Sequence, residues 1–149
     1  MIKRMVLRKI DCIKKLVFKY FMRPGRIADE QLSRAAEEFV PRMHAYPYMV
    51  KGTGTLCTLL NADLDIVAKG GANGLYGIGI KSLGIGISVK LADGTNGVWP
   101  MVIAEVFRQL GYENGAALEV LDRLCPAELV NDNGSPCGLK KPVFTLARG

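Results

Sequence analysis

Nothing in these 149 residues has the spacing of a metal site or a disulfide framework. The four cysteines, Cys12, Cys57, Cys125 and Cys137, stand far apart without a Cys-x-x-Cys pair. The one histidine, His44, has no cysteine near enough to complete a zinc pattern. The cysteines read as reduced thiols of a cytoplasmic protein, with no metal and no cofactor expected. Long apolar runs are missing as well. The N-terminus carries the positive charge of a signal peptide, but no uninterrupted apolar run there is longer than Leu16-Val17-Phe18, too short for an h-region. Nowhere does the chain approach the roughly 20 apolar residues of a membrane span, so neither secretion nor membrane insertion is expected. Nucleotide motifs are absent too: there is no Gly-x-Gly-x-x-Gly, and in Gly79-Ile80-Lys81-Ser82 an isoleucine stands where a phosphate-binding loop needs glycine before its lysine.

What is present fits one folded domain. The chain is 49% hydrophobic and 23% charged, and its 17 glycines and 7 prolines make it turn-rich without low complexity. The net charge of +6 is unevenly spread. Residues 1–22 hold seven basic side chains (Lys3, Arg4, Arg8, Lys9, Lys14, Lys15 and Lys19) against Asp11, while the remaining 127 residues carry 13 of each sign. A neutral body with a basic appendage is not a nucleic-acid-binding domain. Within the appendage, Ile2, Met5, Val6, Ile10, Ile13, Leu16, Val17, Tyr20 and Phe21 recur at three- and four-residue spacing, which predicts a basic amphipathic helix over 2–21. Such a helix packs on the body or on a partner; a peripheral membrane anchor is the weaker reading. Arg23-Pro24-Gly25 marks the join, dividing the chain into 1–22 and 23–149.

The body reads as α+β, an antiparallel meander flanked by helices. A helix is expected over 27–43, with Asp29 at its start, a stripe of Leu32, Ala35, Ala36, Phe39 and Val40, and an end or kink at Pro41. Residues 52–60 read as a glycine-bounded loop entering a short helix. Three apolar runs, 65–69, 75–80 and 84–91, are separated by Ala72-Asn73-Gly74 and Lys81-Ser82-Leu83. Asn-Gly between apolar runs is a strong hairpin signal because both residues tolerate positive φ. After the turn at Asp93-Gly94-Thr95-Asn96-Gly97 a helix with Val98, Met101, Val102, Val106 and Leu110 on one face should stop at Gly111, and another should cover 116–124 before Pro126. Asn133-Gly134-Ser135 spells a glycosylation acceptor, but without secretion it is a turn. His44 is expected to be exposed or capped rather than catalytic.

Lys69-Gly70-Gly71 is the segment with most chemical content. A lysine ending a strand, followed by two residues without side chains, can project an ammonium into a cleft while a ligand lies close to the backbone. The same pattern also fits a solvated lysine beside a hairpin. The wider string decides: Tyr46-Pro47-Tyr48-Met49-Val50-Lys51-Gly52-Thr53-Gly54, then Cys57-Thr58, then Ala68-Lys69-Gly70-Gly71-Ala72-Asn73-Gly74-Leu75-Tyr76, then Leu83-Gly84-Ile85-Gly86-Ile87 through Val89-Lys90 to Asp93-Gly94. In order and spacing it resembles the C-terminal half of the L-asparaginase II family, the Rhizobium-type asparaginases, from about Arg26 to Pro142.

The resemblance implies part of a fold similar to the serine β-lactamases and glutaminases, whose chemistry starts from a Ser-x-x-Lys pair faced by a strand lysine. It makes Lys69 the catalytic strand lysine, holding positive charge beside nucleophile and substrate. Gly70, Gly71 and Ala72 then line the substrate wall, with L-asparagine as the amino acid bound. The chain departs from the family in one decisive respect. Ser33, Ser82, Ser88 and Ser135 are followed three residues on by Ala36, Ile85, Leu91 and Gly138, so no Ser-x-x-Lys exists. The chain is about half the family's length, and residues 1–22 show no likeness to it. Asn73 stands where the family usually has Glu, Thr55 where it has Arg, Tyr46 where it has His, and the turn after Asp93-Gly94 lacks an arginine.

Two readings follow. The chain is a fragment or subunit of an asparaginase II-like amidohydrolase, inactive alone, with a partner half or a second copy docking through the N-terminal helix. Alternatively it is a non-enzymatic module that binds an amino acid or a protein on the degenerate wall.

Overall fold

A computed structural model describes residues 5–6, 10–13 and 27–146, the first two segments as backbone. The chain forms two compact units, one of residues 10–95 and one of residues 1–9 with 96–149. Strand β1 (Met5–Val6) belongs to the second unit and β2 (Ile10–Ile13) to the first. The basic amphipathic helix expected over 2–21 lies mostly outside the described residues, and the six of its positions that are described are strand. Hydrophobic spacing alone did not exclude this, because Ile10 and Ile13 serve a strand with a register shift between them as well as they serve a helical stripe.

In the 10–95 unit, α1 (Glu30–Ala45) starts where Asp29 accepts a hydrogen bond from the Leu32 amide at 2.9 Å. Of the end or kink expected at Pro41, the end does not occur: the helix continues through it to Ala45. Proline removes one backbone bond, but the last turn is held by other means. Val40 and Met43 are buried against Val67, Arg42 pairs with Glu38 at 2.7 Å, and the Tyr46 amide closes the turn on the Arg42 carbonyl. A single turn, α2 (Tyr48–Lys51), and α3 (Leu56–Asn61) follow, the latter being the short helix expected after the glycine loop. Gly52 between them has φ +97°, a conformation that side-chain-bearing residues avoid.

The meander is as the sequence predicts. Strands β3 (Ile66–Gly70), β4 (Leu75–Ile80) and β5 (Ile85–Leu91) pair antiparallel, and β2 adds to β5, giving the order β2-β5-β4-β3. At the β3–β4 hairpin Asn73 and Gly74 have φ +53° and +70°, the positive values that make Asn-Gly a turn signal. Ile66, Ala68, Ile78, Ile80 and Val89 are fully buried.

In the 1–9/96–149 unit, α4 (Trp99–Leu110) carries Pro100 in its first turn and ends at Gly111 in the left-handed conformation. Asn114 caps α5 (Gly115–Leu124) by accepting from the Ala117 amide, and Arg108 of α4 holds Asp122 of α5 at 2.7 Å. Strands β6 (Glu128–Val130) and β7 (Pro136–Lys141) form an antiparallel hairpin, with β1 parallel to β7. Asn131-Asp132-Asn133-Gly134 is the turn between them, the Asn131 side chain accepting from the Asn133 and Ser135 amides. The fold is therefore α+β with an antiparallel sheet and flanking helices. No helix among the described residues is long and apolar enough to cross a membrane.

Candidate functional site

Lys69, Gly70, Gly71 and Ala72 run together from the end of β3 into the hairpin. Strand alternation puts Val67 and Lys69 on one face, and Ile66, Ala68 and Gly70 on the other. Val67 is buried under α1 while Lys69 is exposed. Its ammonium donates to the Gly70 carbonyl at 2.6 Å. Among the described residues the ion pairs are Arg34–Glu30, Arg42–Glu38 and Arg108–Asp122, so Lys69 has no carboxylate partner there.

β3 is the outermost strand of its sheet, and the backbone groups it turns away from β4 are all occupied. Ile66 donates to the Asp63 carbonyl and accepts from His44 Nε2 at 2.8 Å. Ala68 donates to Asn61 Oδ1 and accepts from Asn61 Nδ2, at 3.1 and 2.6 Å. Gly70 donates to Cys57 Sγ at 3.1 Å and accepts from Lys69. Side chains of α1 and α3 therefore stand where a neighbouring strand would pair, and they fix the backbone that presents Lys69. His44 is capped, as expected, and structural.

Behind this strand lies a small polar cluster. The Tyr76 hydroxyl donates to Cys57 Sγ at 3.2 Å, so the sulfur receives two donors. Burial, with the thiol hydrogen bond adding to it, holds the Tyr76 hydroxyl far above its ordinary value of 10. Gly70 is fitted to this place. A Cβ on it would sit 3.3 Å from the Tyr76 ring and 3.5 Å from Lys51 Nζ, so the Lys51 ammonium approaches the strand end at Gly70. A Cβ on Gly71 would meet the Leu75 side chain at 3.1 Å. Ala72 is exposed at the hairpin tip.

On the Lys69 face opens a basin of about 670 Å³. Its walls are Phe39 and Met43 of α1, Tyr46 just after it, Met49 and Val50 of α2, and Val67 of β3. Among the described residues two cations stand on its lining, Lys69 and Arg42, and Arg42 is paired with Glu38. Phe39, Tyr46 and Met49 are more than half exposed, Met49 at 75%. Soluble chains rarely leave so many large apolar groups open side by side unless something binds there.

Among the described residues no hydroxyl reaches Lys69. Ser88 comes nearest in register, because Lys69 faces Gly77 on β4 and Gly77 faces Ser88 on β5. Two strand spacings, about 10 Å, separate it from the lysine. Ser82 is committed elsewhere, its hydroxyl donating to Asp65 at 2.6 Å. The arrangement can place a cation beside a polarisable group or an anion; by itself it offers no serine nucleophile.

Sequence reasoning named Lys51 and Tyr76 only as parts of a matching string, read Cys57 there and as a reduced thiol, and gave Asn61 no part at all. Asn61 is fully buried and makes three hydrogen bonds. No residue pattern flags it, since its partners are backbone groups four and seven positions away that any side chain would leave unchanged.

The body is α+β, and Lys69 and Gly70 end its outer strand, with Gly71 following. The chain belongs to the L-asparaginase II family, whose model matches residues 16–142. The match begins ten residues ahead of Arg26, so it takes in the end of the segment set apart as an appendage. No curated protein matches the chain.

Proposed function

We propose that this chain is the lysine-bearing half of an asparaginase II-like amidohydrolase, acting in the cytoplasm on L-asparagine to give L-aspartate and ammonia. Lys69 is its catalytic cation, and Gly70, Gly71 and Ala72 are the wall along which the substrate lies. The observation that carries the reading is the exposed Lys69 ammonium on a capped strand end, with Ser88, the nearest serine in register among the described residues, two strands away. In a β-lactamase-like site the serine and its Ser-x-x-Lys lysine come from elsewhere, and here they are supplied by a partner half. Lys69 lowers the cost of removing the serine proton and of the negative charge that develops on the amide oxygen. Alone the chain is inactive, because a lysine without a nucleophile cannot form the covalent intermediate.

The test is ammonia release from L-asparagine by the folded chain, alone and mixed with the Ser-x-x-Lys half of a family member. Silence alone, activity in the mixture, and its loss with Lys69→Ala is the expected result. Hydrolysis by the chain alone, or hydrolysis in the mixture that survives Lys69→Ala, overturns the proposal. The second reading, a non-enzymatic binding module, is favoured by one feature, the open apolar basin on the Lys69 face.

A further inference from the structure

The basin beside Lys69 is poorly matched to a zwitterionic amino acid. Six of its nine lining residues are apolar and Tyr46 is the one uncharged polar side chain. Among the described residues Lys69 and Arg42 are the charged groups on the lining, and Arg42 is paired with Glu38 at 2.7 Å. Lys69 is then the cation of this apolar space without a carboxylate partner among the described residues. An ammonium has three protons to donate, and the Gly70 carbonyl takes one. The volume, about 670 Å³, falls within the range of small-molecule sites, and part of the lining is fixed by packing: Val40, Met43 and Val67 are buried in one cluster with Val50 against it. Met43 and Met49 give the walls an adaptable, polarisable surface that accepts flexible chains.

We propose that this basin binds an apolar monocarboxylate, a molecule with the chemistry of a medium-chain fatty acid. Its alkyl body lies between α1, α2 and Val67, and its carboxylate pairs with Lys69. The inference goes beyond the amidohydrolase reading. It shares Lys69 with that reading, so a carboxylate bound there competes with asparagine; its test needs no partner half and no hydrolysis, so the two readings fail separately.

Titration calorimetry of the full chain with decanoate, and with 1-decanol as the neutral counterpart, tests it. The native chain should bind decanoate saturably at one site. Lys69→Met keeps the length of the side chain and removes its charge. It should weaken decanoate about tenfold, in line with the loss of one charge-assisted hydrogen bond, while changing 1-decanol by less than about twofold. Met49→Ser, at a position too exposed to disturb folding, should weaken both ligands. Absence of saturable binding by the native chain overturns the proposal. So does decanoate binding that Lys69→Met leaves intact, which would make the basin an apolar surface without anion recognition. Sedimentation of the same samples covers the remaining occupant. A dimer of the native chain that Met49→Ser converts to monomer would assign the basin to a second copy and not to a carboxylate.

Discussion

Asn61 shows how much one side chain can hold. It is the only buried polar residue of the described core, and its amide spans the Cys57 carbonyl and both backbone groups of Ala68. Asn61→Ala would remove three hydrogen bonds and leave an amide and a carbonyl of Ala68 without partners in a dry setting. The cost should be about 3 kcal/mol or more, seen in urea unfolding as a lower midpoint with an unchanged slope. Tyr76 makes a pH-dependent prediction. Its hydroxyl is held above its ordinary value of 10 in the folded chain, so the unfolded chain releases that proton first. The contribution is fully present below about pH 10 and is lost as pH rises beyond it. An alkaline titration followed by tyrosinate absorbance should show one tyrosine that ionises only when the chain unfolds, and Tyr76→Phe should remove that late step.

Among the elements, α1 is the one in which a local rule yields to its surroundings. Pro41 lies inside it, exposed, with packing on the turns at either side. Pro41→Ala restores the missing amide and relieves the clash with the preceding turn, and it should stabilise the chain by about 2 kcal/mol. A rise in thermal midpoint would report it. The sequence made the helix itself plain, through Asp29 and the apolar stripe, and placed the three strands of the meander to within a residue. It could not show that the helix survives its proline, because what holds the last turn is Val67 and the Ile66 carbonyl, more than twenty residues on. The candidate site divides in the same way. Lys69 and its two glycines were legible as a run of adjacent residues. Lys51, Cys57, Tyr76 and Asn61 act there only because three separate segments converge on one strand end. The basin was invisible for the same reason, its walls coming from two helices and a strand.

For the whole molecule, the first thirteen residues contribute a strand to each compact unit, β1 beside β7 and β2 beside β5. A chain lacking 1–22 would lose both. If the segment were a detachable appendage, the remainder would unfold at the same urea concentration as the full chain; the pairing leads us to expect a clearly lower midpoint. The same truncation takes away the entire net charge of +6, so a cation-exchange column should release the truncated chain near the void.

The filled margin of β3 bears on how such a protein survives at high concentration. Strand stacking between molecules, the first step towards fibres, needs a row of unclaimed amides and carbonyls. Here that row is claimed inside the molecule by His44, Asn61, Cys57 and Lys69. A chain that keeps Phe39, Tyr46 and Met49 open to solvent offers neighbours a sticky patch. With the adjacent backbone closed, encounters through that patch stay a matter of side chains, loose and reversible, and do not template a growing sheet.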